Sequence, residues 1–192
     1  MNAGRATVVF VDRDGVINKD PGGWTKYDYI TDWSDFHFLP GAVEALKKLK
    51  EHGYKVIVIS NQAGVGKGYF KEEKLTEIDR MMVDELRASG ADIEASYYCI
   101  HREEDGCACR KPKTGLFDKA REKYRINMKG AYFIGDTKRD MIAGANAGLR
   151  TVLVLTGHAA REDVDGWDVR PEYIGKDLKG AVDWILGREE SQ

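Results

Sequence analysis

Val8-Val9-Phe10-Val11-Asp12-Arg13-Asp14-Gly15 is an apolar run that stops at two carboxylates one residue apart. A run of β-formers ending in acids predicts a buried parallel strand, over about Thr7–Asp12, that carries both acids to the carboxyl edge of a sheet. Open α/β sheets bind their ligands at that edge. The i, i+2 spacing puts Asp12 and Asp14 on one side of an extended chain. Two acids so placed can divide a phosphoryl transfer, one attacking phosphorus and the other managing a proton. Gly15 permits a tight turn after them. The segment alone also fits a strand ending in solvent-facing acids. Gly135-Asp136-x3-Asp140 shifts the balance toward chemistry. It follows the strand-like Ala131–Ile134, so Asp136 could join Asp12 and Asp14 around one hard cation such as Mg²⁺. Asp140 fits equally an acid in the first turn of a helix and a residue supporting the cation from behind.

Apolar runs alternate with helical patterns along the rest of the chain. Strands are expected at Lys55–Ser60, Glu94–Cys99, Ala131–Ile134 and Thr151–Leu155. Pro40-Gly41 opens a helix that Gly53 ends. Leu75, Ile78, Met82 and Leu86 stand at helical spacing within Lys71–Ser89. Further helices are expected at Gly115–Tyr124, Lys138–Ala147 and Asp177–Leu186, with Gly157–Pro171 as loop. This βαβ rhythm predicts a parallel sheet covered on both faces.

A length of 192 residues suits one domain with a sizeable core. The net charge of -2 argues against a nucleic-acid binder, which normally carries a basic excess. No stretch reaches the length of a membrane-spanning helix, and Met1–Arg5 show no signal-peptide pattern. These features point to the cytoplasm.

All three cysteines fall within eleven residues, with one histidine among them: Cys99-x-His101-x5-Cys107-x-Cys109. Three sulfurs and one nitrogen suit a tetrahedral Zn²⁺ with no open position, hence a structural zinc loop over about 99–109. The intervening Arg102–Gly106 is too polar to bury as a site of unligated thiols. Isolated His37, His52 and His158 read as surface or packing residues. Ser60-Asn61-Gln62, just after the second strand, could hold phosphate oxygens through a hydroxyl and backbone N–H groups, and equally fits a polar turn. Arg110-Lys111-Pro112 offers two cations beside a rigid proline. Lys113 competes with Lys111 for a phosphate-clamping role.

Together these segments resemble the haloacid dehalogenase superfamily of phosphatases. Its four motifs occur in order, as Asp12-Arg13-Asp14-Gly15-Val16-Ile17-Asn18, Ser60-Asn61-Gln62, Arg110-Lys111-Pro112 and Gly135-Asp136-x3-Asp140. The resemblance implies a single Rossmann-like, doubly wound, essentially capless α/β domain over residues 1–192. It implies Asp12 as the nucleophile that forms an aspartyl-phosphate, and Asp14 as general acid and base. It implies Mg²⁺ on Asp12, Asp136 and the backbone carbonyl of Asp14. Ser60 and Lys111 would stabilise the phosphoryl group. Arg110 would recognise the substrate, and Asp20, Asn61 and Gln62 would line the substrate side. The Asp12–Asn18 run, the Asn61-Gln62-x-Gly64 loop and the Cys/His block with Arg110-Lys111-Pro112 narrow the resemblance to enzymes that remove the 7-phosphate of a heptose 1,7-bisphosphate, a small molecule, and the capless core is compatible with a monomer. Histidinol-phosphate and polynucleotide 3′-phosphatases are the alternatives. A non-catalytic zinc-containing interaction module belongs to a different class. The chain departs from the pattern in its short zinc loop, in the long aromatic stretch Pro21–Phe36, and in Lys67, where arginine is common.

Overall fold

The structure is a computed structural model and describes residues 8–189. Thr7 and the Met1–Arg5 segment discussed above lie outside the described residues. Six strands form one wholly parallel sheet: β1 (Val8–Val11), β2 (Lys55–Asn61), β3 (Ala95–Cys99), β4 (Tyr132–Gly135), β5 (Arg150–Val154) and β6 (Tyr173–Gly175). Their order is β3-β2-β1-β4-β5-β6. The chain winds outward one way from β1, returns, and winds outward the other way from β4. The crevice beyond the carboxyl ends of β1 and β4 is therefore the topological switch point of the sheet.

Both faces of the sheet are buried, and alternate strand residues serve opposite faces. Val9, Val11, Val56, Val58, Ile134, Val152 and Val154 pack beneath α1 (Ala42–Glu51), α2 (Glu72–Ala88) and α5 (Leu178–Glu189). Val8, Phe10, Ile57, Ile59 and Phe133 pack beneath α3 (Gly115–Tyr124) and Ala143 of α4 (Lys138–Asn146). Phe117 of α3 stands edge-on to both Phe10 and Phe133, at 5.3 and 5.0 Å between ring centroids. α4 lies so close to the sheet that a Cβ at Gly144 would come within 2.5 Å of Thr151 Cγ2. Among the described residues no helix is long and apolar enough to cross a membrane.

The observed elements fall within a residue or two of those expected, except that α5 runs three residues further, to Glu189, and with two corrections. The segment expected to be loop over Gly157–Pro171 contains a short 3-10 helix at Arg161–Gly166, and a sixth strand, Tyr173–Gly175, follows it. Three residues at a sheet edge, two of them half-buried, are too few to show a period. No separate cap is inserted in the described residues. The stretch between β1 and α1 forms turns and one 3-10 turn, Trp33–Asp35, anchored by the buried Ile30 and Phe36.

Phe117 is fully buried between two aromatic rings. Phe117→Ala should lower the unfolding free energy by about 3–5 kcal/mol, read from the urea midpoint. A loss under about 1 kcal/mol would mean that the helix–sheet contact is not tightly packed.

Candidate active site

β1 ends at Val11, but the Asp12 N–H still donates to Ile134 O (2.9 Å), so Asp12 stands on the sheet's carboxyl edge. The chain then turns sharply. Gly15 has a φ of +77°, and the Ile17 and Asn18 N–H groups return to Arg13 O at 2.8 and 3.2 Å. This turn brings three donors to the Asp14 carboxylate. Asn18 Nδ2 reaches Oδ1 at 2.9 Å, Gln62 Nε2 reaches Oδ2 at 2.7 Å, and the Arg13 guanidinium forks onto both oxygens at 3.0 and 3.1 Å. Arg13 is wholly buried and lies 5.7 Å from the centre of the Tyr98 ring, whose hydroxyl donates to Asp79 at 2.6 Å.

Lys111 is 3% exposed, and its ammonium sits 2.7 Å from Asp12 Oδ2 and 2.6 Å from Asp140 Oδ1. It also donates to Ile59 O at 3.0 Å. Its backbone is fixed by the Asn61 amide, which accepts from Lys111 N (3.0 Å) and donates to Lys111 O (3.2 Å). Of the two lysines, Lys111 is the one that lines the cleft. Lys113 instead donates to Gly106 O and Cys107 O, at 2.7 and 2.8 Å, bracing the cysteine loop. Asp140 has the helix-capping place expected of it and a second contact that was not expected. Its Oδ2 accepts from Thr137 N (3.1 Å) and Thr137 Oγ1 (2.6 Å) in a capping box at the start of α4, and its Oδ1 holds Lys111.

One cleft collects Asp12, Asp14, Asp20, Ser60, Asn61, Lys111 and Asp136, with Asp140 among its walls. Two residues expected at the substrate side lie elsewhere. Gln62 is fully buried beneath Asp14 and Ser60. Arg110 lines an adjoining cavity that shares Lys111 and Arg139 with the cleft. Pro21, Asp28 and Tyr29 reach the cleft from the long aromatic stretch, and Thr137, Arg139 and His158, not expected there, also line it. His158 is the correction among the histidines. Its Nε2 meets Asp20 Oδ2 at 3.0 Å, and its N–H donates to Asp136 Oδ2 at 3.0 Å. His37 and His52 do pack or cap, stacking on Trp24 and approaching Lys48 O at 2.8 Å. Tyr29 reaches the cleft from the Pro21–Phe36 stretch. It leans on Tyr69 and Phe70, and Gly64 allows the approach, since a Cβ there would lie 2.5 Å from Phe70 and 2.9 Å from Tyr29.

The donor sets decide what the cleft and the cysteine loop could hold. Carboxylate oxygens of Asp12, Asp136 and Asp140 lie within 4.8 Å of one another. Six carboxylates line the cleft against one ammonium and one guanidinium, so a phosphate entering unaided would be repelled. An oxygen-only set with excess negative charge fits a hard divalent cation. Asp12 and Asp140 are both engaged on each oxygen, Asp12 by Arg13 N and Lys111, and all three acids line the cleft. In the other cluster, the three sulfurs lie 3.2, 3.4 and 3.6 Å apart, and His101 Nδ1 is 3.2 Å from Cys109 Sγ. Sulfurs tetrahedrally placed about 2.3 Å from one ion would be about 3.8 Å apart, so the cluster closes around a zinc-sized centre with little movement. No disulfide joins the cysteines. Burial pushes the Cys99 thiol up to about 12, so a metal there would displace a firmly held proton.

The comparisons agree with this geometry. The family model described as HAD-hydrolase-like matches residues 108–181. The D-glycero-beta-D-manno-heptose-1,7-bisphosphate 7-phosphatase of Helicobacter pylori strain J99 is 35% identical over 178 residues, covering 92% of this chain and 95% of its own. The D-glycero-alpha-D-manno-heptose-1,7-bisphosphate 7-phosphatase of Photorhabdus laumondii is also 35% identical, covering 86% and 91%. The chain belongs to the heptose-bisphosphate phosphatase family. A crystal structure of the D,D-heptose 1,7-bisphosphate phosphatase of B. bronchiseptica, complexed with magnesium and phosphate, superposes with a TM-score of 0.86 at 30% identity. It covers 95% of this chain and 99% of its own. Members of this HAD-like family are phosphoric monoester hydrolases, and the fold found here is theirs.

Electrostatics of the family's paired acids can be followed in this chain. Burial pushes Asp12 up to about 6; Lys111 opposes the rise and Asp140 adds to it. Burial, then Asp140 and Asp12, also raise Asp136 well above the carboxylate range. Burial alone would lower the Lys111 ammonium, but Asp12 and Asp140 hold it above its ordinary value. For Asp12 the folded pKa exceeds the unfolded one, so the fold favours the protonated acid. That stabilisation is complete below about pH 4 and is lost as pH rises through about 6. In magnesium-free buffer, the stability of wild type relative to Asp12→Asn should therefore fall between pH 4.5 and 7.5, as read by thermal melts. A difference that stays flat or grows would contradict the raised acid.

Proposed function

We propose that this chain removes the 7-phosphate of D-glycero-D-manno-heptose 1,7-bisphosphate by transfer to Asp12 and hydrolysis of the aspartyl-phosphate. The observation that carries the reading is Asp12 itself, a buried carboxylate at the switch point, held 2.7 Å from the Lys111 ammonium with Asp14 beside it in the same cleft. Family membership adds the substrate class.

Asp12 attacks phosphorus. Lys111 and the Ser60 hydroxyl face the phosphoryl oxygens from the cleft wall, where positive charge and donors stabilise the spreading negative charge. Asp14, oriented by Arg13, Asn18 and Gln62, gives its proton to the leaving sugar oxygen and then takes one from the attacking water. Asp12, Asp136 and the Asp14 backbone carbonyl would hold Mg²⁺, which when bound supplies the charge that screens the phosphate from the acids around it. Cys99, His101, Cys107 and Cys109 would hold a structural Zn²⁺ that stiffens the loop leading to Arg110 and Lys111. Arg110 recognises the substrate away from the transferred phosphate. The enzyme is a single-domain monomer of the cytoplasm, a compartment that keeps thiolates available for zinc.

The rival substrate, histidinol phosphate, needs an acid free to meet its amine. Among the acids of the Asp20–Asp35 stretch, Asp20 already pairs with His158 and Asp32 is tied to Ser34 and Lys74, while Asp28, in the cleft wall, accepts from the Gly23 N–H. Phosphate release in Mg²⁺ should show a higher kcat/KM for heptose 1,7-bisphosphate than for histidinol phosphate. The reverse order would move the protein to the amine substrate. Asp12→Asn should lower kcat on either by on the order of 10³-fold or more. Metal analysis of the protein purified without chelator should find one zinc per chain, and Cys109→Ser should reduce it; a metal-free wild type would refute the zinc loop.

A further inference from the structure

We infer that Arg139 is a specificity-determining residue that grips the second phosphate of the substrate, in concert with Arg110. The inference rests on the bisphosphate reading above and extends it to a residue that reading does not use.

Arg139 occupies the first turn of α4, where the helix dipole favours acids and disfavours cations. Helix stability therefore gives no reason for an arginine there. Its neighbour Lys138 is neutralised by Asp168 at 2.8 Å, and Asp140 is held by Lys111 and Thr137. Among the described residues, the Arg139 guanidinium makes no hydrogen bond or ion pair. It is exposed, and it lines both the catalytic cleft and the cavity against the cysteine loop.

That second cavity carries four cations, Arg110, Lys111, Lys113 and Arg139, against Glu103 alone. Two of the four are engaged elsewhere: Lys111 faces Asp12 and Asp140, and Lys113 caps the carbonyls of Gly106 and Cys107. Arg110 reaches Glu103 only at 4.0 Å, and its Nη1 is buried without a partner. Two uncommitted guanidiniums thus border one cavity that opens beside Lys111. Planar, forked donors of this kind suit a phosphate dianion better than a hydroxyl or an amine. A bisphosphate whose reacting end lies at Asp12 would turn its other end toward this cavity, and a monophosphate would leave both guanidiniums unpaired.

The test compares wild type, Arg139→Ala and Arg139→Lys on heptose 1,7-bisphosphate and on p-nitrophenyl phosphate, with Mg²⁺. Arg139→Ala should lower the ratio of kcat/KM for the bisphosphate to that for p-nitrophenyl phosphate by about tenfold or more. The loss should appear mainly in KM for the bisphosphate, and Arg139→Lys should recover part of it. Inhibition by heptose 1-phosphate, which carries only the second phosphate, should weaken in parallel. An unchanged ratio in Arg139→Ala, or an equal loss on both substrates, would overturn the role of Arg139 while leaving the bisphosphate reading intact. A wild type that does not prefer the bisphosphate to histidinol phosphate would instead remove the reading on which the role rests.

Discussion

The buried Lys111 ammonium ties together parts of the chain that are otherwise far apart in sequence. It receives Asp12 from the end of β1, the Ile59 carbonyl from β2 and Asp140 from the first turn of α4. A charge removed from water this completely is tolerated only when it is paired and hydrogen-bonded, and here it has a partner on each side. Removing one member would strand the others, at a cost of about 3–5 kcal/mol. The same contacts set the local charge. Without the lysine, Asp12, Asp136 and Asp140 would face one another with only their own protons to relieve the repulsion. The arrangement therefore ties the fold to the cleft's charge, and the acidity of Asp12 cannot be separated from the cap of α4.

The strands were legible because both faces of the sheet are buried. Runs such as Val56–Ile59 and Ala131–Ile134 have no polar face to blur them. Asp12, Asp14 and Asp136 were legible because each follows such a run, and topology then brings those ends together. The thiol cluster was legible from its density alone. What failed to show was determined by partners distant in sequence. Arg13 reads as an ordinary surface cation until the turn after β1 buries it between Asp14 and Tyr98. Gln62 and Asn61 are adjacent polar residues, yet one lies wholly under Asp14 while the other measures out the backbone of Lys111. His158 has no motif around it, and only the fold places it against Asp20 and Asp136. The spacing of Asp14 and Asn18 did hold a usable signal, since a turn closed by glycine brings residues four apart into contact.

Close approach, added at Gly15 to its positive φ, explains two glycines at the cleft. A Cβ on Gly157 would fall 1.9 Å from Asp136 Oδ2, and one on Gly15 would fall 2.5 Å from the same atom. Two loops, after β1 and after β5, thus press against one carboxylate and hold it in place. With no inserted domain over the cleft, the walls come from the chain's own aromatic stretch. Tyr27 stacks on Tyr69 at 4.7 Å, and Tyr29 turns from the same cluster toward the acids. A cleft built this way is shaped by short loops on a rigid sheet, which suits a small substrate.

The two-way grip of Asn61 on Lys111 has a consequence for remodelling this scaffold. The exit of the cysteine loop is clamped at Lys111 and its base is gathered by Cys99, Cys107 and Cys109, so its exposed tip at Glu104 and Asp105 lies between ends held by the contacts of Arg102 with Asp105 and of Lys113 with Gly106. Its length is decoupled from the position of Lys111. Closure entropy grows only slowly with added residues. The tip is thus a natural port for grafting, where a peptide tag, a reporter or a longer recognition arm could be spliced in a few residues from the reaction centre without shifting its register.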